Sequence, residues 1–343
     1  MTAVEAWEAD PWFKLDTLIW SCVISQAVHA AVVIGIPALL TTGPKSAKEV
    51  AVASGSDAQT LEAILHALAA FEILDVDQNE QFRLTQLGNL LLDPSHGLMG
   101  EAGPFFETIY KAQSGLLQMA RTGETAFKTV FGVDFYSYLA SHSQVGSFFN
   151  EQMIRNSPAR YGAISSVYDF SKVSKIVDVG GGQGALILQL LKQQPHLNAI
   201  LFDAPQVVKG AAAILEQAGL AGRCHIVGGN FLEAVPAGGD VYFLAAVLNN
   251  LSDTDARVLL RNCRLVMNDQ SVLLILQGVR DFGKRLPRWS ALVELGIMAQ
   301  RGGRTRTEPQ VRELLEYAGF ALREIRRYQA APRTVIEAAP ITA

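Results

Sequence analysis

Between Lys175 and Asp203 the chain reads as strand, glycine bend, helix and strand, and no other stretch restricts the possible folds as strongly. Ile176-Val177-Asp178-Val179 is short, apolar and β-branched, the composition of a strand buried on both faces. Gly180-Gly181-Gly182-Gln183-Gly184 follows as a tight turn, Ala185 to Gln193 as a helix, and Ala199-Ile200-Leu201-Phe202 as a second strand that ends at Asp203. A unit of this kind is the nucleotide-binding half of a doubly wound sheet, which takes its ligand at the carboxyl ends of the strands. The glycines admit a ligand close to the backbone, and a carboxylate about twenty residues later can grip both hydroxyls of an adenosine ribose.

The bend lacks the GxGxxG spacing that seats a pyrophosphate on a helix N-terminus, and Asp178 before it would repel phosphate. An acid there suits a cationic, phosphate-free nucleoside such as S-adenosylmethionine, with its ammonium and sulfonium groups. A structural turn without a ligand is the alternative reading of so short a motif. Further strands are expected at His225–Val227, Val241–Leu244 and Val272–Leu276, helices at Asp253–Met267 and Glu308–Ala318, and a final hairpin at Leu322–Arg327 and Thr334–Glu337. The sum is a sheet of about seven strands.

Upstream the pattern is different, and 343 residues allow for two domains. Residues 17–44 carry no charged side chain, a length able to span a bilayer. Ser21, Ser25 and His29 nevertheless recur every four residues with Gln26 beside them, and Gly35 and Pro37 break the far end. A helix from Asp16 to about Ile34 that packs on protein, in a second subunit, accounts for that polar seam better than lipid does, so no membrane partner is expected. A short helix within 44–51, a helix at Thr60–Phe71, and strands at Ile73–Val76 and Gln81–Leu84 then outline a winged helix.

Nucleic acid is not the expected partner. Between Pro44 and Leu90 three basic residues (Lys45, Lys48, Arg83) face seven acidic ones, the whole chain has a net charge of −4, and the would-be recognition helix is apolar. Cys22, Cys224 and Cys263 form no CxxC pair, which argues against a zinc site or a disulfide framework and for reduced thiols in the cytoplasm. The acidic N-terminus, MTAVEAWEADPW, does not resemble a secretion signal. From Pro104 to Asp169 the helices are rich in Phe, Tyr and Met, suited either to a core or to the lining of an aromatic pocket.

Taken in order, the N-terminal region, DFYSYL, VDVGGGQG, LFDAP, VGGNFLEAVP, VLNNLSD and GGRTRTEPQVRELLEYAGF resemble the small-molecule O-methyltransferase family. That family includes plant caffeate and flavonoid enzymes and bacterial enzymes of antibiotic and pigment pathways. The resemblance covers nearly the whole chain. It implies an α/β fold: a Rossmann-like class I methyltransferase seven-stranded sheet (166–343) behind an N-terminal all-helical winged-helix dimerisation domain (1–165). It also implies a homodimer in which each N-terminal domain contributes to its partner's pocket, with S-adenosylmethionine as cofactor. The donor site would use Asp178, Gly180 and Gly182, Asp203 for the ribose, and Asn230 with Phe231 beside the adenine. Asn230 stands where Asp is usual, and Ala245 where plant enzymes carry Lys.

The reaction centre departs further from the family pattern. A phenol must lose its proton to attack a methyl carbon well, and the family supplies a His flanked by two Glu residues. Here those positions are Asn249, Gln277 and Thr305, and the Asp that follows the His is Asn250. No amide or hydroxyl acts as a base near pH 7. The leading expectation is therefore methyl transfer to nitrogen or carbon of a small secondary-metabolite acceptor, aromatic or polyketide- or alkaloid-like. Such atoms attack directly, and rate comes from positioning. The chain also resembles bacterial phenazine N-methyltransferases around DFYSYL and LLRNCRLVM. The alternatives are an enzyme of the same fold that keeps the cofactor but catalyses cyclisation, hydroxylation or decarboxylation, with Arg304 or Arg306 assisting; an O-methyltransferase using His29, His142 or Glu294 as base; and a binding protein without turnover. Candidate substrate contacts are Asn150, Met153, Trp289, Glu294 and Met298, with Phe135 and Tyr138 behind them, while His196 and His225 are expected to be structural.

Overall fold

The structure is a computed structural model and describes residues 10–92, 103–281, 283, 285–328 and 333–342. Most of the acidic N-terminal stretch read above lies outside these residues. The chain divides into two compact units, Met1–Glu107 and Thr108–Ala343.

In the first unit the helix Pro11–Ile34 begins five residues before the expected Asp16, because the Asp10 side chain accepts the Trp12 N–H and Pro11 opens the first turn. It ends at Gly35, whose φ of 88° turns the chain out of the helix. Helices Ala47–Ser54 and Ala58–Ala70 follow, capped by Ser46 and Asp57. The hairpin of β1 (Leu74–Val76) and β2 (Phe82–Leu84) pairs Asp75 with Arg83 by an ion pair across the strands. Leu61, Leu65, Leu68, Leu74 and Phe82 form the core with Ala27, Ala31 and Ile36 of the helical layer. The long helix is apolar and long enough to cross a membrane by length and composition. Trp12, Leu18, Ile19 and Trp20 project from it largely exposed.

The second unit is a sheet in the order β10-β11-β7-β6-β3-β4-β5. Its strands are β3 (Lys175–Val179), β4 (Asn198–Asp203), β5 (Cys224–Gly228), β6 (Val241–Ala245), β7 (Val272–Gln277), β10 (Phe320–Tyr328) and β11 (Arg333–Pro340). The first five run parallel, and the C-terminal hairpin adds two antiparallel strands beside β7. Ile176 faces one core with Leu186, Leu190 and Phe243, while Val177 and Val179 face a second core with Leu259, Leu260 and Leu315. That double burial is why the parallel strands read as unbroken apolar runs.

The helices between residues 108 and 165 belong to this unit, so the compact units divide earlier in the chain than the functional boundary expected at 165/166. Tyr161 and Ile164 enter the core beside Ile176 and Leu186, and the Gln189 amide donates to the Ser157 hydroxyl at 3.0 Å. Two short strands, β8 (Val279–Arg280) and β9 (Arg306–Thr307), form a separate parallel pair that draws residues 305–307 to the end of β7.

Candidate active site

The carboxyl ends of β3, β4, β6 and β7 gather the glycine bend, Asp178, Asp203, Asn249 and Gln277. Gly180 and Gly182 take φ values of 72° and 64°, the left-handed backbone open to glycine. The bend is tied to β4 by the Gly180 N–H, which donates to the Phe202 carbonyl at 2.8 Å. Gly182 donates to the Asp203 carboxylate at 2.8 Å, and the Ala204 N–H donates to its other oxygen at 2.7 Å. Those bonds favour ionised Asp203, against a burial that raises its pKa.

Asp178 is completely enclosed, and among the described residues neither carboxylate oxygen has a partner. Burial first, and then the charge of Asp203, push its pKa up to about 8. A side chain at Gly181 would come within 2.5 Å of that carboxylate, so Asp178 lies directly beneath the bend. Alone, the group stays protonated near neutral pH; a sulfonium or ammonium group above the loop favours its ionised form, whereas a phosphate opposes it. Asn230 is committed to its own turn: its amide donates to Glu233 at 2.9 Å and its oxygen accepts the Leu232 N–H at 3.0 Å. The Phe231 ring lies beside Gly180, and its carbonyl is held by the Asn262 amide at 2.9 Å.

Asn249 sits on the turn Leu248–Asn250 after β6, Gln277 ends β7, and Thr305 precedes β9. Three local contacts draw these segments together. Val247, two residues before Asn249, reaches to within 2.8 Å of where a Gly180 side chain would start. Gly303 packs so tightly on the turn that a Cβ would meet the Asn249 carbonyl at 2.1 Å. Pairing of Val279 with Arg306 brings Thr305 level with the residues just past Gln277. Among the described residues, buried Gln277 has no partner for either amide atom, and the buried Asn249 side-chain oxygen has none either. Unsatisfied polar groups in a protein interior cost about 1–3 kcal/mol each unless a ligand supplies the bond.

Arg304 and Arg306 are scaffold rather than free cations. Arg306 is 1% exposed and donates to Asp253 at 2.9 Å, to the Leu248 carbonyl at 2.6 Å and to the Leu251 carbonyl at 2.9 Å. Arg304 donates to the other Asp253 oxygen at 2.5 Å. The turn bearing Asn249 is thus clamped from below. This clamp escaped the sequence reading because its partners are more than fifty residues apart.

The substrate candidates are more scattered. Asn150 and Met153 are half-buried on the helix Ser143–Arg155, and the Met153 sulfur meets the Arg160 guanidinium at 3.1 Å. Glu294 lies 4.0 Å from Arg280, and Met298 occupies the last turn of the helix Arg288–Arg301, which packs on the Asn249 turn. Trp289 opens that helix 68% exposed. Beside it a cavity of about 550 Å³, lined by Arg280, Asp281, Leu286, Arg288 and Ala291, reaches Thr307 but no residue of the glycine bend. His142 stacks on Tyr138 with centroids 3.7 Å apart, and His196 bonds the Phe170 carbonyl at 3.0 Å. Among the described residues no cluster of His, Cys, Asp and Glu is arranged to hold a metal.

Comparison with known proteins places this geometry in a family. The profile of the O-methyltransferase domain matches residues 114–321, and that of the O-methyltransferase dimerisation domain matches 17–94. The chain is similar to the phenazine O-methyltransferase PhzM of Lysobacter antibioticus, 33% identical over 93% of both chains. It is also similar to the phenazine-1-carboxylate N-methyltransferase of Pseudomonas aeruginosa, 29% identical over 88% of this chain and 89% of that one. The solved mitomycin 7-O-methyltransferase MmcR superposes with a TM-score of 0.90 at 30% identity, covering 98% of this chain and 99% of its own. With a matching catalytic domain, a matching dimerisation domain and the same seven-stranded sheet, the chain belongs to the O-methyltransferase family of S-adenosylmethionine-dependent enzymes.

Proposed function

We propose that this enzyme methylates a nitrogen or carbon atom of a small aromatic secondary metabolite, using S-adenosylmethionine and no protein base. One observation carries the reading: the positions around the reaction centre are an amide, an amide and a hydroxyl, two of them with buried unpartnered atoms. The orphaned Asp178 beneath the bend supports the cofactor assignment. When bound, the cofactor supplies an electrophilic methyl carbon, whose bond to sulfur breaks as the acceptor's electron pair bonds to it, leaving S-adenosylhomocysteine.

In this reading Gly180, Gly182 and Asp203 hold the nucleoside, Phe231 covers the adenine, and Asn230 shapes its own turn. The Asn249 oxygen accepts an N–H of the acceptor, and the Gln277 amide both donates and accepts. These bonds aim the lone pair or ring carbon at the methyl group, which is the main source of rate when no proton transfer is needed. The displaced proton leaves to water after transfer. Thr305, Asn150, Met153, Trp289, Glu294 and Met298 complete the acceptor pocket. The molecule acts as a cytoplasmic homodimer, consistent with free thiols at Cys22, Cys224 and Cys263 and with the exposed apolar face of the helix Pro11–Ile34.

The test is incubation with methyl-labelled S-adenosylmethionine and a panel of aromatic amines, ring nitrogens and phenols. Label in an N- or C-methyl product, matched one-to-one by S-adenosylhomocysteine, supports the reading. Label confined to phenolic oxygen overturns the atom assignment. Acceptor conversion without S-adenosylhomocysteine overturns methyl transfer in favour of a non-methylating reaction on the same scaffold.

A further inference from the structure

Arg301 is the last residue of the helix Arg288–Arg301 and has an unusual set of neighbours. Its guanidinium lies over three rings, 4.8 Å from the centroid of Phe135, 5.5 Å from Phe149 and 5.8 Å from Tyr136. One terminal nitrogen donates to the Asn250 side-chain oxygen at 3.1 Å, while the Nε is buried without a partner. Asn250 in turn donates to the Ala246 carbonyl at 2.8 Å and to the Tyr136 hydroxyl at 3.3 Å. The cation is therefore fastened to the residue next to Asn249.

Among the described residues no carboxylate pairs with Arg301. Of the acids on neighbouring elements, Glu124 pairs with Lys128, Asp134 accepts the N–H of Ser137, Asp253 pairs with Arg304 and Arg306, Glu294 with Arg280, and Glu151 is exposed to solvent. Ring faces offset part of the cost of taking a guanidinium out of water, yet a half-buried cation without a counter-charge still favours an anion nearby. A neutral amide at position 250 leaves that charge unspent.

We propose that Arg301 selects acceptors that carry a ring-borne oxyanion, a carboxylate or an ionised hydroxyl, and that Asn250 keeps the cation available by holding it without neutralising it. The proposal rests on the reading of this site as the acceptor pocket of a methyltransferase. It adds a second requirement to that reading: besides the attacking atom, the acceptor presents a negative charge toward the Asn249–Asn250 turn. Where the oxyanion is an ionised hydroxyl, it also raises the electron density of the attacking ring atom.

The test measures affinity by calorimetry in the presence of S-adenosylhomocysteine, with 2-naphthoate, its uncharged isostere 2-naphthamide, and 2-naphthol as probes. Wild type is expected to bind naphthoate at least about tenfold more tightly than naphthamide. Asn250→Asp, which places a carboxylate against Arg301, is expected to weaken naphthoate about tenfold while leaving naphthamide and S-adenosylhomocysteine unchanged. Arg301→Gln should do the same, and Arg301→Lys should restore part of the discrimination.

The source of the oxyanion is read in the same titrations. Naphthoate is ionised from about pH 6 to about pH 9, so a carboxylate preference is flat with pH; naphthol affinity that climbs with pH, and climbs less in Asn250→Asp, assigns an ionised hydroxyl. Equal binding of naphthoate and naphthamide together with pH-independent naphthol binding overturns the proposal, as does an equal loss for every probe in Asn250→Asp. Failure of S-adenosylhomocysteine itself to bind would instead reject the methyltransferase reading, and it is seen separately in the same titration.

Discussion

Asp178, one residue before the end of β3, and Asp203, at the end of the neighbouring parallel strand β4, differ in that only Asp203 has hydrogen-bond donors among the described residues. The pKa of Asp178, raised to about 8, makes the folded chain prefer the protonated acid. Stability from this group is fully present below its unfolded value near 4 and is lost as pH rises through about 8. A cation above the bend favours the ionised form, so S-adenosylmethionine affinity should rise with pH up to about 8, and binding below that pH should release a proton. Calorimetry in buffers of different ionisation enthalpy reads both. In Asp178→Asn both effects should vanish, and the unliganded variant should outlast wild type above about pH 7; an unchanged pH slope would sink the assignment.

Gly181 and Gly182 should respond differently to alanine. At Gly181 the new methyl would strike the Asp178 carboxylate and the Leu201 side chain, both at 2.5 Å, and overpacking there should cost about 1–3 kcal/mol and displace the acid. At Gly182 there is open space but a φ of 64°, so the cost is backbone strain of about 1–2 kcal/mol. Chemical denaturation should show losses in both. Only Gly181→Ala should also alter the pH dependence of nucleoside binding.

Arg306→Ala should be among the most damaging changes in the second unit. It leaves the Leu248 and Leu251 carbonyls without their donors, at about 1–3 kcal/mol each, while Asp253, 41% exposed, keeps Arg304. Arg304→Ala removes a partner of the same Asp253 from a much more exposed position and should cost less than about 1 kcal/mol. Thermal melts of the two variants check the contrast.

Asn249→His would install a titratable group on the turn. With a phenolic acceptor the variant should gain activity that increases as pH passes about 6.5 and the imidazole becomes a base. With a nitrogen or carbon acceptor no such gain is expected, since a base adds nothing to direct attack. Methyl-transfer rates across pH with both acceptor classes decide it; no gain with the phenol together with an unchanged KM for the nitrogen acceptor would remove position 249 from the site.

The strands of the sheet and the glycine bend were legible because each is governed by local chemistry. Buried parallel strands are short and apolar, and the bend needs residues that tolerate positive φ. The true start of the first helix was also written in Asp10-Pro11, an N-cap followed by a proline. The clamp on the Asn249 turn was not legible, since Arg306 meets Asp253, Leu248 and Leu251 only after β8 and β9 pair. The cage of Arg301 was hidden for the same reason: Phe135, Tyr136, Phe149 and Asn250 come from three separate segments. The helices after residue 107 read as part of the N-terminal domain because their helical pattern continues upstream, although Tyr161 and Ile164 pack on the sheet.

Replacing Leu18 and Trp20 with Glu should convert a dimer to monomers, because both are large apolar side chains that project exposed from the helix Pro11–Ile34. Light scattering would show the halved mass, and an unchanged mass would locate the dimer contact elsewhere.

The Asn249 turn is held by Arg306 from one side and by the Asn250–Ala246 bond from the other, whereas the Asn249 side-chain oxygen and both Gln277 amide atoms bond to nothing. The bonds that hold the frame and the unpartnered polar atoms thus belong to different groups. Under the proposed function, mutation can exchange those polar groups one at a time while the frame stays folded, so a lineage with this scaffold can drift from one reaction to another without crossing an unfolded ancestor.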